Sequence, residues 1–287
     1  MISPRPAVLK KLTPGVGHKR GVFETVLGVN GEPVFLREHL TRLFRGAKSL
    51  RIAPIVTTQD FRSYIRATLA VSGLSSVRLR LLIWRERQTV HFAVVVLPYQ
   101  PVSASARQRG YRVVTARSRI NERHVCSFRK GLDYSLYLRA YEQATAVGVD
   151  EAVLLNLQGD IAEGSRTNIF VVKDNQLLTP PLTSGCLSGI TRKIVMKLAR
   201  QSGLVVRSQR LHPSDALGAD EIFLTNSLLG VMPLVSLDGS LIKNGKPGPV
   251  TKKVIRLYDA LLLATVSLEQ KRTNSHFSVC PHQRRNV

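Results

Sequence analysis

KGLDYSLYLRAYEQATA (residues 130–146), EAVLLNLQGDIAEGSRTNIFVV (151–172) and TPPLTSGCLSGITRKIVMKLARQSG (179–203) together decide how this chain folds. In the first segment, apolar or aromatic residues recur at Leu132, Leu136, Ala140, Tyr141 and Ala144. That is one face at helical spacing, so a helix is predicted with Lys130 at its entrance. Tyr134, about one turn further on, reaches the same site. In the second segment, two strand-like runs, EAVLLNL (151–157) and NIFVV (168–172), are separated by a turn signal at Gly159-Asp160, and Glu163 falls between them. A carboxylate there is either a surface charge at a hairpin end or an acid aimed off the sheet into a pocket. In the third, Pro180, Pro181, Gly185 and Gly189 predict an irregular loop, and Ile190, Ile194, Val195 and Leu198 form the buried face of the helix that follows. A glycine-rich loop feeding a helix leaves free N–H groups at the positive end of the dipole, which is an anion site as readily as an ordinary capped end.

An amine, a carboxylate, a phenol and an anion site within one stretch meet the needs of pyridoxal 5'-phosphate. That cofactor requires a lysine for its Schiff base, a charged partner for the ring nitrogen, a donor for the ring hydroxyl and a cradle for the phosphate. On this reading Lys130 carries the cofactor, Glu163 holds its ring and the helix starting near Ile190 holds its phosphate.

Six segments in order extend the pattern: FLREHLTRL (35–43), KGLDY (130–134), DEAVLLN (150–156), EGSRTNIF (163–170), TPPLTSGCLSGITR (179–192) and ADEIFLTNSLLGVMPLVSLDG (219–239). From about Gly21 to about Leu263 the chain resembles the fold-type IV pyridoxal-phosphate enzymes, or class IV aminotransferase family. That family includes branched-chain aminotransferase, D-amino acid aminotransferase and 4-amino-4-deoxychorismate lyase. The resemblance implies an α/β (α+β) two-domain fold, with a small α/β domain and a larger β-barrel-like domain with flanking helices. It also implies roles. Lys130 is the Schiff-base lysine and proton shuttle, Tyr134 bonds the ring hydroxyl, and Glu163 faces the pyridine nitrogen. Arg42, Ile190, Thr191 and Ser227 hold the phosphate, and a homodimer is implied. An anion beside the ring nitrogen raises its pKa, and an arginine fork suits a phosphate.

Within that family, TNSLLGVMP (225–233) and GVFET (21–25) lean toward the lyase, with Thr25 and Asn226 as substrate-binding candidates. The expected reaction is conversion of 4-amino-4-deoxychorismate to 4-aminobenzoate and pyruvate, a step toward folate. The alternative is an aminotransferase acting on branched-chain or D-amino acids. A third reading is a non-catalytic basic binding protein on the same scaffold. Arg78 and Arg80 share one strand face, which reads first as a solvated face and second as a site for a substrate carboxylate.

The 287 residues carry a formal charge of +23 and 44% hydrophobic residues, enough for a core. The basic residues are spread along the chain without an aromatic-interleaved motif, so nucleic acid is not the expected partner. No apolar run has the length of a membrane span. Residues 1–20 lack a signal-peptide core and depart from the family pattern, and a cytoplasmic enzyme with a small-molecule substrate is expected. Three cysteines, Cys126, Cys186 and Cys280, make no disulfide or zinc framework, and no metal site is expected. The expected boundaries are a small domain over 1–97, a linker over 98–105, a large cofactor domain over 106–266 and a basic disordered tail over 267–287.

Overall fold

The structure, a computed structural model, describes residues 20–123 and 128–277. Strand β1 (Gly21–Val29) ends at Asn30-Gly31, where φ is 50° and 81°, and returns as β2 (Glu32–Pro33). Two left-handed residues are what a tight hairpin turn requires. Helix α1 (Leu36–Ser49) follows, then α2 (Thr58–Ser72), β3 (Ser76–Glu86) and β4 (Thr89–Pro98). Helix α2 opens with a capping box between Thr57 and Asp60. The strands form one antiparallel sheet in the order β2-β1-β3-β4.

Side chains alternate across this sheet. Val22, Val26, Leu79, Leu81 and Ile83 pack with Leu40, Leu43 and Ala47 of α1 and with Phe61, Ile65 and Leu69 of α2. The other face carries Phe23, Leu82 and Trp84, and also Thr25, Arg78 and Arg80, which line a cavity.

The second sheet is built from β5 (Tyr111–Ile120), β6 (Glu151–Asn156), β7 (Ile161–Gly164), β8 (Asn168–Lys173), β9 (Gln176–Thr179), β10 (Val205–Ser208), β11 (Glu221–Asn226), β12 (Gly230–Leu237) and β13 (Ser240–Leu241). Its order is β10-β9-β8-β11-β12-β5-β6-β7, with β13 beside β12. Around it lie α3 (Ala104–Arg109), α4 (Ser135–Ala146), α5 (Ile190–Gln201), α6 (Pro213–Leu217) and α7 (Pro249–Phe277). The result is a mixed α/β fold of two curled sheets with helices. Between β4 and α3, residues 99–103 have no regular structure; we assign the boundary between the two units to this stretch.

Three expectations need correction. Lys130 does not open a helix: α4 begins at Ser135, and Lys130 lies in extended chain bridged to β1. Lys130 O accepts from Phe23 N at 2.9 Å and Leu132 N donates to Gly21 O at 3.0 Å, so Leu132 packs with Phe23 and Trp84 rather than on the helix face. Gly21 is required for this approach, because a Cβ there would stand 2.6 Å from Trp84 Cβ and 2.5 Å from Leu132 Cδ1. Glu163 is not in a connection. It sits on β7, which pairs with β6 at Leu154↔Glu163.

The chain also does not leave regular structure at Ser267. Helix α7 runs on to Phe277, since Val266 is buried against Leu27 and Val34 and an anchored helix adds residues at little cost. Residues 278–287, the atypical start at 1–19, and Cys126 and Cys280 lie outside the described residues; Cys186 is buried. Among the described residues, no helix is long and apolar enough to cross a membrane, and no cluster of metal-ligating side chains occurs.

Candidate active site

A cavity of about 800 Å³ opens between the two sheets. Its lining includes Thr25, Arg42, Lys130, Tyr134, Glu163, Ile190, Thr191, Asn226 and Ser227, so every residue singled out in the sequence meets in one place. Lys130 Nζ lies 4.9 Å from the centre of the Phe23 ring and 5.1 Å from that of Tyr134. Burial, assisted by the Arg42 charge, pushes its pKa below the ordinary lysine value.

Glu163 is held from three sides. Leu187 N donates to Oε2 at 2.9 Å, Asn168 Nδ2 to the same atom at 3.3 Å, and Tyr137 OH to Oε1 at 3.0 Å. Burial nevertheless raises its pKa above the carboxylate range. A carboxyl of this kind shares a proton readily with a heterocyclic nitrogen. Asn168 also donates to Leu187 O at 2.8 Å, tying β8 to the loop before α5. A Cβ at Gly189 would run into Asn168 Oδ1, so only glycine fits there.

The anion end is built from α5 and two loops. No side chain caps α5, whose first residues Ile190 and Thr191 line the cavity. Arg42 stands beside them, but three of its N–H groups are committed. Nε and Nη2 donate to Glu24 at 2.6 and 2.8 Å, and Nη1 donates to Ser188 O at 3.0 Å. Burial alone would raise the Glu24 pKa, yet Arg42 and His39 overcome it and hold it at about 2.

Tyr134 and Asn226 both bond to the backbone around the cavity. The Tyr134 hydroxyl donates to Ser165 O at 2.5 Å, so it meets the cavity as an acceptor until that bond is exchanged. Asn226 shapes the turn after β11, where Oδ1 accepts from Leu228 N at 2.9 Å and Leu229 N at 2.7 Å, and Nδ2 donates to Arg166 O at 3.2 Å. Its amide is spent on the backbone rather than offered to a substrate.

Arg78 and Arg80 are not a solvated face. Both line the cavity, and the Nε atoms of both are buried without a hydrogen-bond partner among the described residues. Burial and the neighbouring Arg78 bring the Arg80 pKa down to about 10. Two like charges side by side without a counter-ion among those residues can receive an incoming carboxylate.

Sequence reasoning passed over Glu24, His39, Tyr137 and Asn168. Glu24 had a readable signal, since it breaks the apolar alternation Val22, Val26 on the helix-facing side of β1. Tyr137 and Asn168 had none, since their bonds to Glu163 and to the loop before α5 are made only once the strands and helix are folded together.

Residues 21–237 match the model of the amino-transferase class IV family. The chain belongs to that family. A relative from Methanocaldococcus jannaschii, provisionally named a branched-chain-amino-acid aminotransferase, is 32% identical over 252 residues, spanning 84% of this chain and 86% of its own length. The branched-chain amino acid aminotransferase of Escherichia coli superposes with a TM-score of 0.80 at 28% identity, covering 88% of this chain and 88% of that one. Another solved enzyme of that name, with a TM-score of 0.80 at 27% identity, contains pyridoxamine 5'-phosphate. A Legionella pneumophila protein, provisionally named a 4-amino-4-deoxychorismate lyase, superposes with a TM-score of 0.77 at 24% identity, covering 88% and 97%, and shows the shared fold.

Proposed function

We propose that this class IV chain is a pyridoxal-phosphate-dependent aminotransferase whose amino-acid substrates include the branched-chain ones. The observation that carries the proposal is the pairing of a half-buried Lys130, resting against Phe23 and Tyr134, with a Glu163 carboxyl held by Leu187 N, Asn168 and Tyr137 in the same cavity. The cavity fits the cofactor. The uncapped start of α5 and the Ser227 hydroxyl suit its phosphate, Glu163 its ring nitrogen, and Thr225 Oγ1 is a buried cavity-lining hydroxyl with no partner among the described residues. The relatives named branched-chain aminotransferases support this reading over the lyase expected from the turn sequence.

The bound cofactor supplies an electron sink that acidifies the substrate α-C–H bond. The residues do the rest. Lys130 Nζ, with its proton affinity lowered by burial, holds the cofactor as a nucleophile and, once released, takes the α-proton. Glu163 keeps the ring nitrogen protonated. Arg78 and Arg80 receive the substrate carboxylate, and Phe23, Tyr99 and Leu228 give the side chain an apolar wall. A homodimer located in the cytoplasm belongs to the same proposal, and sedimentation at twice the chain mass tests the first part.

The half-reaction tests the activity. With leucine or valine alone, the visible band of the holoenzyme moves to that of the pyridoxamine form, and 2-oxoglutarate restores it. Lys130→Ala loses turnover by at least about 10²-fold and loses the borohydride-fixed adduct. The lyase stays as a second reading, because two guanidiniums also fit an amine bearing two carboxylates. Pyruvate release from 4-amino-4-deoxychorismate without a keto-acid acceptor, and no band shift with leucine, would reverse the order of the two readings.

A further inference from the structure

Behind the cavity wall, Glu24 of β1 faces α1 and is fully buried. Its Oε2 lies 2.7 Å from His39 Nδ1, and His39 is itself buried. The Glu24 carboxyl accepts two bonds from Arg42 and is ionised, so it can only accept. Nδ1 of His39 therefore carries a proton. On the neutral ring Nε2 is then a bare acceptor, and 3.3 Å from it stands Ser227 Oγ, on the turn that lines the anion end of the cavity. The Ser227 hydroxyl donates to Nε2, with its proton turned away from the cavity.

An anion arriving on the cavity side needs that proton. If the hydroxyl swings to the anion, Oγ and Nε2 face each other as two lone pairs. The conflict ends when a proton from solvent binds Nε2 and is donated to Oγ. The imidazolium then lies between the Glu24 carboxylate and a hydroxyl committed to the anion. We propose that His39 takes up one proton when a phosphate group binds at Ser227, and that the relay Glu24–His39–Ser227 is a positioning device that sets which way the serine hydroxyl points. The identity of the phosphate group rests on the cofactor reading above; the relay itself does not.

The charges acting on His39 are Glu24 from β1 and Arg42 and Glu38 from its own helix, while the turn after β11 contributes the neutral Ser227 hydroxyl. Burial keeps the free His39 pKa below its ordinary value; the two glutamates oppose this and Arg42 reinforces it. Bound phosphate raises it. Affinity is therefore highest below the free pKa and is lost as pH rises toward the raised pKa of the complex. Linkage of one proton gives a fall of about tenfold per pH unit within that window.

The test uses the full chain, stripped of cofactor and labelled with 15N-histidine, titrated with inorganic phosphate at neutral pH. The expected result is a His39 signal that passes from the neutral Nδ1–H tautomer to the doubly protonated ring as phosphate saturates. In Ser227→Ala, phosphate binds more weakly and His39 stays neutral. In His39→Gln the pH dependence of phosphate affinity reduces to that of phosphate's own ionisation; should this variant not fold, the first two spectra still decide. Phosphate binding with His39 unchanged in the native chain, or proton uptake persisting in Ser227→Ala, would overturn the relay. Pyridoxal phosphate added to the same apoprotein separates the two levels: a cofactor band with a neutral His39 removes the relay alone, whereas neither a band nor phosphate binding removes the cofactor reading and the relay together.

Discussion

Arg42 and Arg80 face one cavity from the same small sheet-and-helix unit, and they are opposites. Arg42 is locked by Glu24 and the Ser188 carbonyl, and although burial alone would lower its pKa, the Glu24 carboxylate raises it above the ordinary arginine value. Arg80 has Arg78 for a neighbour, an Nε without a partner among the described residues, and a pKa that burial lowers to about 10. A compensated charge is organised before its ligand arrives and stays so when the ligand leaves. An uncompensated one gains most at the moment an anion docks, because the anion removes an existing desolvation penalty. The first arrangement suits a resident group and the second suits a substrate that comes and goes.

The comparison breaks most severely at Glu24. Glu24→Gln leaves a buried guanidinium without its counter-ion, so unfolding free energy falls by about 3–5 kcal/mol in a denaturant titration. Arg80→Met should do the reverse: stability is unchanged or slightly raised, while KM for the amino acid rises about 10- to 100-fold, the worth of a charged hydrogen bond. If Arg80→Met lowered the unfolding free energy and left KM alone, the assignment of the two ends would be inverted. A pH titration sharpens the contrast. The Glu24 pKa is depressed when folded, so its contribution is complete above the unfolded carboxyl value and disappears as pH falls toward about 2. The native chain should therefore show an acid limb of stability that Glu24→Gln lacks. The smallest effect is a control far from both ends. Thr57→Ala removes the α2 cap for about 1 kcal/mol and leaves KM and cofactor affinity unchanged.

What could be read in the sequence followed the local patterns. Lys130, Glu163 and the α5 start could be picked out through the six-segment resemblance, while periodicity alone misplaced the first two, since Lys130 lies in extended chain before α4 and Glu163 lies on β7. The strand alternation of Arg78 and Arg80 was equally visible, but not which face of the sheet was wet, because the second sheet that covers that face is assembled from strands further along the chain and arrives by tertiary packing. The same holds for His39. Its spacing to Arg42 places both on one side of α1, but its partners Glu24 and Ser227 lie 15 and 188 residues away. The length of α7 was hidden for a related reason, since residues after Val266 are mostly polar and only the burial of Val266 against Leu27 and Val34 shows that the helix is still anchored there.

The backbone bridge between Val22 and Gly131 has a mechanical consequence. Lys130 precedes a helix of the large unit, but its own carbonyl is fastened to Phe23 of the small one. If the two units rocked apart like a hinge, the lysine would travel with the small sheet and be dragged off the Glu163 side of the cavity. An opening of the two units at this point would therefore have to break the bridge or carry Lys130 away from Glu163.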